Sequence, residues 1–365
     1  MAPFALTFTH ESGEAAEVIN ASPCDVNEQF KQLQSDHVLV RFLAFPVNPQ
    51  DLLAVAGKYP VRPRYTLPDG SHIAGNDGVG RVERIGREVT TLKPGDIVLP
   101  KRHGLGTWRE FAVLPASELL IIPPQIQPVA ASLLKMGFAP AYLLLEDIRT
   151  LRPGDWIVVN AGLGVIPQMI AQFAKLRGCH TVATIRDRDG LEDARAILRA
   201  NGVDIIVTEE ALSAHGPGAD ATLATIVAEK RITLAVDCVF GKSGDVIAHL
   251  LAPGGTFVNY GSLGGPDGIV QLSQELLFWK QIKFCNFRLS QQLSTRSDGE
   301  QERLFAWFVA LIASGQLVPP VVDVVYWNPD DKKALSDSAR TALNRATSRQ
   351  TGMRKQVFSL VHVLC

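Results

Sequence analysis

From Asp155 onward the chain alternates short, continuous apolar runs with amphipathic stretches, and this alternation limits the possible folds more than any other feature. The runs WIVVN, TVATI, DIIVT, LAVDCVF, TFVNY and IKFCNFRLS are strand-like, and all but the last hold too few polar residues to keep one face in water, so they read as strands of a sheet buried on both sides. Between them, IPQMIAQFAKLRG and DVIAHLLAPG space their apolar residues as helices do. Strands buried on both faces need cover on both faces. The expected fold class is therefore α/β, with a doubly wound parallel sheet.

The first third has a different texture. HVLVRFLAFPVNP, GVGRVERIG, GDIVLP and WREFAVLP are short strand-like runs cut by Gly and Pro, as in a mostly β domain with irregular loops. A length of 365 residues exceeds one ordinary core and suggests two domains. The helix-like EQERLFAWFVALIASG leads out of the alternating region, and LVPPVVDVVYW and RKQVFSLVHV return to strand texture. A mostly β domain interrupted by a nucleotide-binding insertion follows, with expected bounds 1–137, 138–292 and 293–365.

Composition excludes several partners. The formal net charge is −1 and the charges are well mixed, so neither nucleic acid nor an anionic membrane is an expected partner, and a small molecule is. Cysteines 24, 179, 238, 285 and 365 form no Cys-x-x-Cys pair, which argues against a zinc cage or a disulfide framework and for a reducing compartment. No apolar run reaches membrane-spanning length. The first Lys or Arg is Lys31, so neither a signal peptide nor an Arg-rich presequence is visible. The compartment stays open between a cytoplasmic chain and one whose leader has been removed or replaced.

The strand WIVVN runs into AGLGVIP and then a helix, an arrangement in which amides at a helix N-terminus can hold a pyrophosphate. Gly162 and Gly164 supply two glycines of a Gly-x-Gly-x-x-Gly fingerprint, and Pro167 stands at the third position. A plain tight turn is the alternative. The next strand, TVATI, ends in RDRDG, where NAD-binding units place a lone acid for the ribose hydroxyls. Here Arg186 and Arg188 flank Asp187, and guanidinium forks match a phosphate ester, so NADPH is the expected cofactor. The other reading keeps Asp187 on the ribose and leaves both arginines to solvent.

GKYPVRP, residues 57–63, sets Tyr59 among turn formers. A turn tyrosine is ordinarily a rim residue. Trp108 reads as packing, with substrate contact as its alternative, and Phe278 and Trp279 as core or interface. His72 and His103 lie in loops without a ligand-spaced cysteine or carboxylate and read as structural.

A β-rich part carrying VNPQDLL, AGNDGVGRVERIG, LKPGDIV and GTWREF, followed by a dinucleotide unit, resembles the medium-chain dehydrogenase/reductase superfamily over nearly the whole chain. The resemblance implies a GroES-like catalytic domain beside a Rossmann domain. Zinc alcohol dehydrogenases of that superfamily carry Cys after the first long strand and Gly-His-Glu further on. Here Asn48-Pro49-Gln50-Asp51 and Gly75-Asn76-Asp77 stand in those places, without thiolate or imidazole, so no catalytic zinc is expected.

Within the superfamily, NPQDLLAVAGKYPVRP, AGNDGVG, GLGTWREFAV, IRDRD, GKSGDVIAHLLAPGGTFVNYG and FRLSQ together resemble the trans-2-enoyl-CoA (2-enoyl thioester) reductase family of mitochondrial fatty-acid synthesis. That family's proton donor falls on Tyr59. Its cofactor contacts fall on Asn160, on the loop Gly162, Leu163, Gly164, Val165 and Ile166, and on Arg186, Asp187 and Arg188. Further contacts fall on Tyr260 and Gly261, on Phe287, Leu289 and Ser290, and on Lys355. Three departures stand out: GFAPAY replaces Asn-x-Cys-Thr-Ala-Tyr, Arg288 replaces an aromatic residue, and Pro167 occupies the phosphate loop. The resemblance implies NADPH-dependent reduction of an enoyl thioester carried on CoA or acyl-carrier protein, by a homodimer in mitochondria. A zinc-free quinone or alkenal reductase and a catalytically idle NADPH-binding regulator are the rival readings.

Overall fold

The computed structural model describes residues 3–9, 14–24, 33–265, 267–348 and 354–360. The chain divides into two compact units, one formed by Met1–Met136 with Arg296–Cys365 and the other by Gly137–Thr295.

The first unit opens with β1 (Phe4–Phe8), β2 (Asn20–Pro23), β3 (His37–Pro46), β4 (His72–Ile73), β5 (Val79–Ile85), β6 (Ile97–Pro100), β7 (Phe111–Pro115) and β8 (Leu119–Ile122). The second unit contributes β9 (Trp156–Val159), β10 (His180–Ile185), β11 (Ile205–Thr208), β12 (Ile232–Asp237), β13 (Thr256–Asn259) and β14 (Lys283–Asn286). The chain then returns to the first unit as β15 (Asp323–Tyr326) and β16 (Gln356–Ser359).

In the first unit, β3 is rich in Val, Phe and Leu and buries all but His37 and Arg41. It pairs antiparallel with β5, β7 and β16, in the sheet order β15-β16-β3-β5-β6-β8. Strand β16, more than 300 residues downstream, thus completes a sheet begun by β3, which is why this unit is discontinuous. A smaller sheet has the order β2-β1-β4. Beside β3 and β16 lies an aromatic cluster. Phe45 stacks on Trp108 at 6.1 Å and on Phe358 at 5.2 Å, and meets Trp327 edge-on at 5.5 Å.

The helix Lys332–Thr347 buries Leu335, Ala339, Ala342 and Leu343, one face at helical spacing, into the same core. Asp331 caps it by accepting the Lys333 and Ala334 N–H groups. Polar composition hides this helix from a reading of apolar runs.

The second unit holds the expected parallel sheet, ordered β11-β10-β9-β12-β13-β14. Counted within the unit, the order is 3-2-1-4-5-6, that of a Rossmann domain, with its direction of winding reversing between β9 and β12. Strand β9 is fully buried, as its unbroken apolar run requires. The run IKFCNFRLS behaves differently. Only Lys283–Asn286 is strand, largely exposed at the sheet edge, and Leu289–Ser294 turns into a helix.

Candidate active site

The helix Pro49–Val55 positions Tyr59. Its start is closed by Asp51, whose Oδ2 accepts the Asn48 N–H at 2.8 Å. Its end is a Schellman motif: Gly57, at φ +70°, donates its N–H to Ala54 O, and Lys58 donates to Leu53 O. Tyr59 is the next residue. One bond straps this turn to the segment 101–106, the Arg64 N–H donating to Gly104 O at 2.9 Å, and a second anchors that segment, the Gly104 N–H donating to Asn76 Oδ1 at 2.7 Å. The half-buried Tyr59 hydroxyl consequently lies 3.1 Å from Nδ1 of His103, within hydrogen-bond distance. Burial, with the Asp51 charge adding to it, raises the phenol above its ordinary pKa. Burial, with Lys135 adding, lowers the imidazole to about 3.

Nothing in the sequence signals that His103 stands beside Tyr59. No motif joins a histidine to a tyrosine 44 residues earlier, and the pairing depends on the two hydrogen bonds of the Gly104 backbone, to Arg64 and to the Asn76 side chain. His72, by contrast, lies on β4 with its ring 5.4 Å from that of Phe8. Trp108 is fully buried, so packing is its role.

The two segments that stand where zinc relatives carry ligands are joined by hydrogen bonds. Asp51 Oδ1 accepts both the Asn76 N–H, at 2.9 Å, and its Nδ2, at 2.8 Å. Asp77 Oδ1 accepts the Gly78 N–H, and Lys355 Nζ donates to Asn48 Oδ1. Burial pushes the Asp51 and Asp77 carboxyls up and the Lys135 and Lys355 ammonium groups down, while each sign of charge offsets the other. Gly75, at φ +99°, is required here, because a Cβ would overlap the Trp108 and Thr107 side chains. Among the described residues no group of three or more His, Cys, Asp or Glu side chains could hold a metal ion.

In the second unit, Gly162 lets the loop after β9 lie against β10. A Cβ there would come within 2.9 Å of Ala183 Cβ and 3.3 Å of Thr184 O. Leu163 O accepts from Gln168 Nε2, and Gly164 is the N-cap of the helix Val165–Leu176. The amides of Val165 and Ile166 therefore lie in the helix's first turn, where N–H groups lack intrahelical acceptors. Pro167, third in the helix, has no N–H to leave unpaired.

Asn160 is committed internally. Its Nδ2 donates to Asp237 Oδ1 at 2.6 Å and to Ser243 Oγ at 3.0 Å, and its Oδ1 accepts the Cys238 N–H at 2.9 Å. It thereby ties β9 to β12 beneath the glycine loop.

Arg186, Asp187 and Arg188 follow directly on β10. Asp187 Oδ1 turns back to accept the Arg188 N–H, and the Asp187 N–H donates to Glu210. Arg188 has a buried Nε without a partner, and its guanidinium is lowered by burial and then by the Arg186 charge. Nearby, Thr184, Glu209, Ser213 and Lys242 help to line a cleft of about 470 Å³, room for the adenosine half of a dinucleotide.

Tyr260 donates its N–H to Asp237 O, while Gly261 O accepts from Asn259 Nδ2 and packs against Cys238. Phe287 is buried and donates its N–H to Asn259 O; Leu289 is half-buried and Ser290 exposed at the start of their helix. These positions follow the C-terminal ends of β9, β10, β13 and β14, the ligand side of a parallel sheet. Lys355 belongs to the first unit, on Asn48.

Comparison with known proteins places this geometry. Residues 34–124 match the alcohol dehydrogenase GroES-like domain, and residues 165–305 match the zinc-binding dehydrogenase family. The mitochondrial enoyl-acyl-carrier-protein reductase of Bos taurus is 35% identical over 321 residues, covering 88% of this chain and 82% of the relative. Among solved structures, the mitochondrial 2-enoyl thioester reductase Etr1p/Etr2p heterodimer from Candida tropicalis superposes with TM-score 0.85 at 21% identity, over 98% of this chain and 100% of that one. The Etr1p/NADP/crotonyl-CoA complex gives 0.84 at 22% identity, over 98% and 100%. A GroES-like part, a Rossmann sheet and this identity along most of both chains lead to one assignment: the chain belongs to the enoyl-acyl-carrier-protein reductase family of the medium-chain dehydrogenase/reductase superfamily.

Proposed function

We propose that this protein reduces trans-2-enoyl thioesters of CoA or acyl-carrier protein to saturated acyl thioesters, with NADPH as reductant and Tyr59 as proton donor. The observation that carries the reading is Tyr59 itself: a phenol on a turn fixed at both ends, kept protonated at neutral pH, in a chain of this family. Bound NADPH would supply the hydride that goes to Cβ of the substrate. Tyr59 then protonates Cα, a task for which a free carboxyl would be unsuited because it would be ionised. Turnover measured over a panel of enoyl thioesters and quinones tests the reading. Reduction of quinones alone overturns it in favour of a quinone reductase.

The Gly162 approach, the first-turn amides of Val165 and Ile166, and the Arg186/Arg188 pair fit the pyrophosphate and 2′-phosphate of that cofactor. Asp187, turned to the backbone, leaves the phosphate side to the two guanidinium groups. NADPH is expected to bind more tightly than NADH by at least ~1.5 kcal/mol, the low end for hydrogen bonds to charged groups. Replacing Arg186 and Arg188 together with Ala should abolish the preference. Calorimetric titration giving equal affinities for wild type would contradict the 2′-phosphate reading.

The compartment that suits this function is the mitochondrion, named for the curated relative, and fractionation of cells carrying the full-length protein checks it. A homodimer is the proposed assembly. Strand β14 lies at the sheet edge, and in the segment that leads into it Ile269, Leu272, Phe278 and Trp279 are 54% to 74% exposed, apolar area suited to pairing about a two-fold axis. Light scattering should give twice the chain mass at micromolar concentration, and a monomer would contradict the assembly.

A further inference from the structure

We infer that His103 is the positioning partner of Tyr59: its Nδ1–H donates to the phenolic oxygen, leaves the phenol proton free for the substrate, and stabilises the phenolate that remains. The inference rests on Tyr59 being the proton donor.

One hydrogen lies between the Tyr59 oxygen and His103 Nδ1, 3.1 Å apart, and it comes from one side or the other. If the phenol supplied it, that proton would point at the ring and the bond would have to break before Cα could be protonated. If the imidazole supplies it, the phenol O–H is free to face the substrate. The Nδ1–H···O bond then strengthens as charge develops on oxygen. Neutrality of the ring, imposed by burial and then by Lys135, leaves it one N–H, and this arrangement puts it on Nδ1. The charged groups acting on the pair are Asp51, from the helix Pro49–Val55, and Lys135.

The backbone holds the ring in place. Gly104 adopts φ +83° and is bonded on both sides, and a Cβ there would come 2.8 Å from Arg62 O. Asp51 fixes the start of the helix that precedes Tyr59 and fixes Asn76, which holds Gly104, so one buried carboxylate anchors both members of the pair. In the step itself, the Tyr59 O–H bond breaks and a C–H bond forms at Cα. His103 keeps its proton, and the phenolate regains one from water.

The test is a double-mutant cycle on the full chain with NADPH and an enoyl-CoA. His103→Ala should lower kcat roughly 10- to 100-fold, the worth of one hydrogen bond to a charged group, with NADPH affinity unchanged. In a Tyr59→Phe background the same change should alter kcat by less than about twofold, because no phenol is left to act through. His103→Asn, which offers an N–H near the Nδ1 position, should recover most of the loss. His103→Phe replaces Ala if the smaller side chain unfolds the loop. An equal penalty in both backgrounds, or equal losses for Asn and Ala, overturns the inference while leaving Tyr59 as donor. A Tyr59→Phe variant with unchanged turnover overturns the donor reading and this inference together.

Discussion

Tyr59→Phe lowers turnover of a trans-2-enoyl thioester by roughly 10²- to 10⁴-fold and leaves NADPH affinity nearly intact, the usual loss for a positioned general acid. That corresponds to about 3 to 5 kcal/mol of barrier, too much for a half-buried hydroxyl that only packs. Affinity is spared because the residues proposed for the cofactor's phosphates, Arg186, Arg188 and the Gly162 loop, lie in the other compact unit. A quinone should be affected far less, since its reduced form can collect protons from water. Parallel assays of the variant on both substrates check this, and undiminished thioester turnover would remove Tyr59 from the chemistry.

The second large effect is on stability. Trp108→Ala should destabilise the first unit by about 3 to 5 kcal/mol, the range for emptying an aromatic site in a core. Trp108 is fully buried, stacked on Phe45 and tilted 6.4 Å from Phe358. Its backbone bonds, N–H to Ala74 O and carbonyl to the Leu6 N–H, survive in Ala, so the loss reports the side chain and not the backbone. Urea unfolding followed by circular dichroism measures it. A loss under ~1 kcal/mol would mean that the cluster collapses around the gap.

The parallel sheet was legible because its strands are buried on both faces and so cannot alternate. The edge strand β14 escaped the same logic: exposed on much of its length, it ends at Asn286, and the apolar residues beyond it enter a helix. The helix Lys332–Thr347 did carry a signal, in the spacing of Leu335, Ala339, Ala342 and Leu343, but a search for apolar runs passes over it. In the proposed site, the glycine loop and the RDR segment are suggested by local pattern, since the chemistry of phosphate binding dictates residue types there. Tyr59 needed the family resemblance, because a tyrosine in a Gly/Pro turn has no local mark of function. His103 and the buried charges Asp51, Asp77, Lys135 and Lys355 were not legible. Their surroundings come from loops far apart in sequence, and buried charge runs against the ordinary pattern.

The most direct test of the account follows both hydrogens. The purified wild-type protein is given a trans-2-enoyl-CoA and NADPH deuterated at the transferable position, and separately unlabelled NADPH in heavy water, and the acyl product is examined by mass spectrometry and NMR. The account predicts a saturated acyl chain with deuterium at Cβ in the first case and at Cα in the second. No reduction of the thioester by folded, NADPH-binding protein would contradict it.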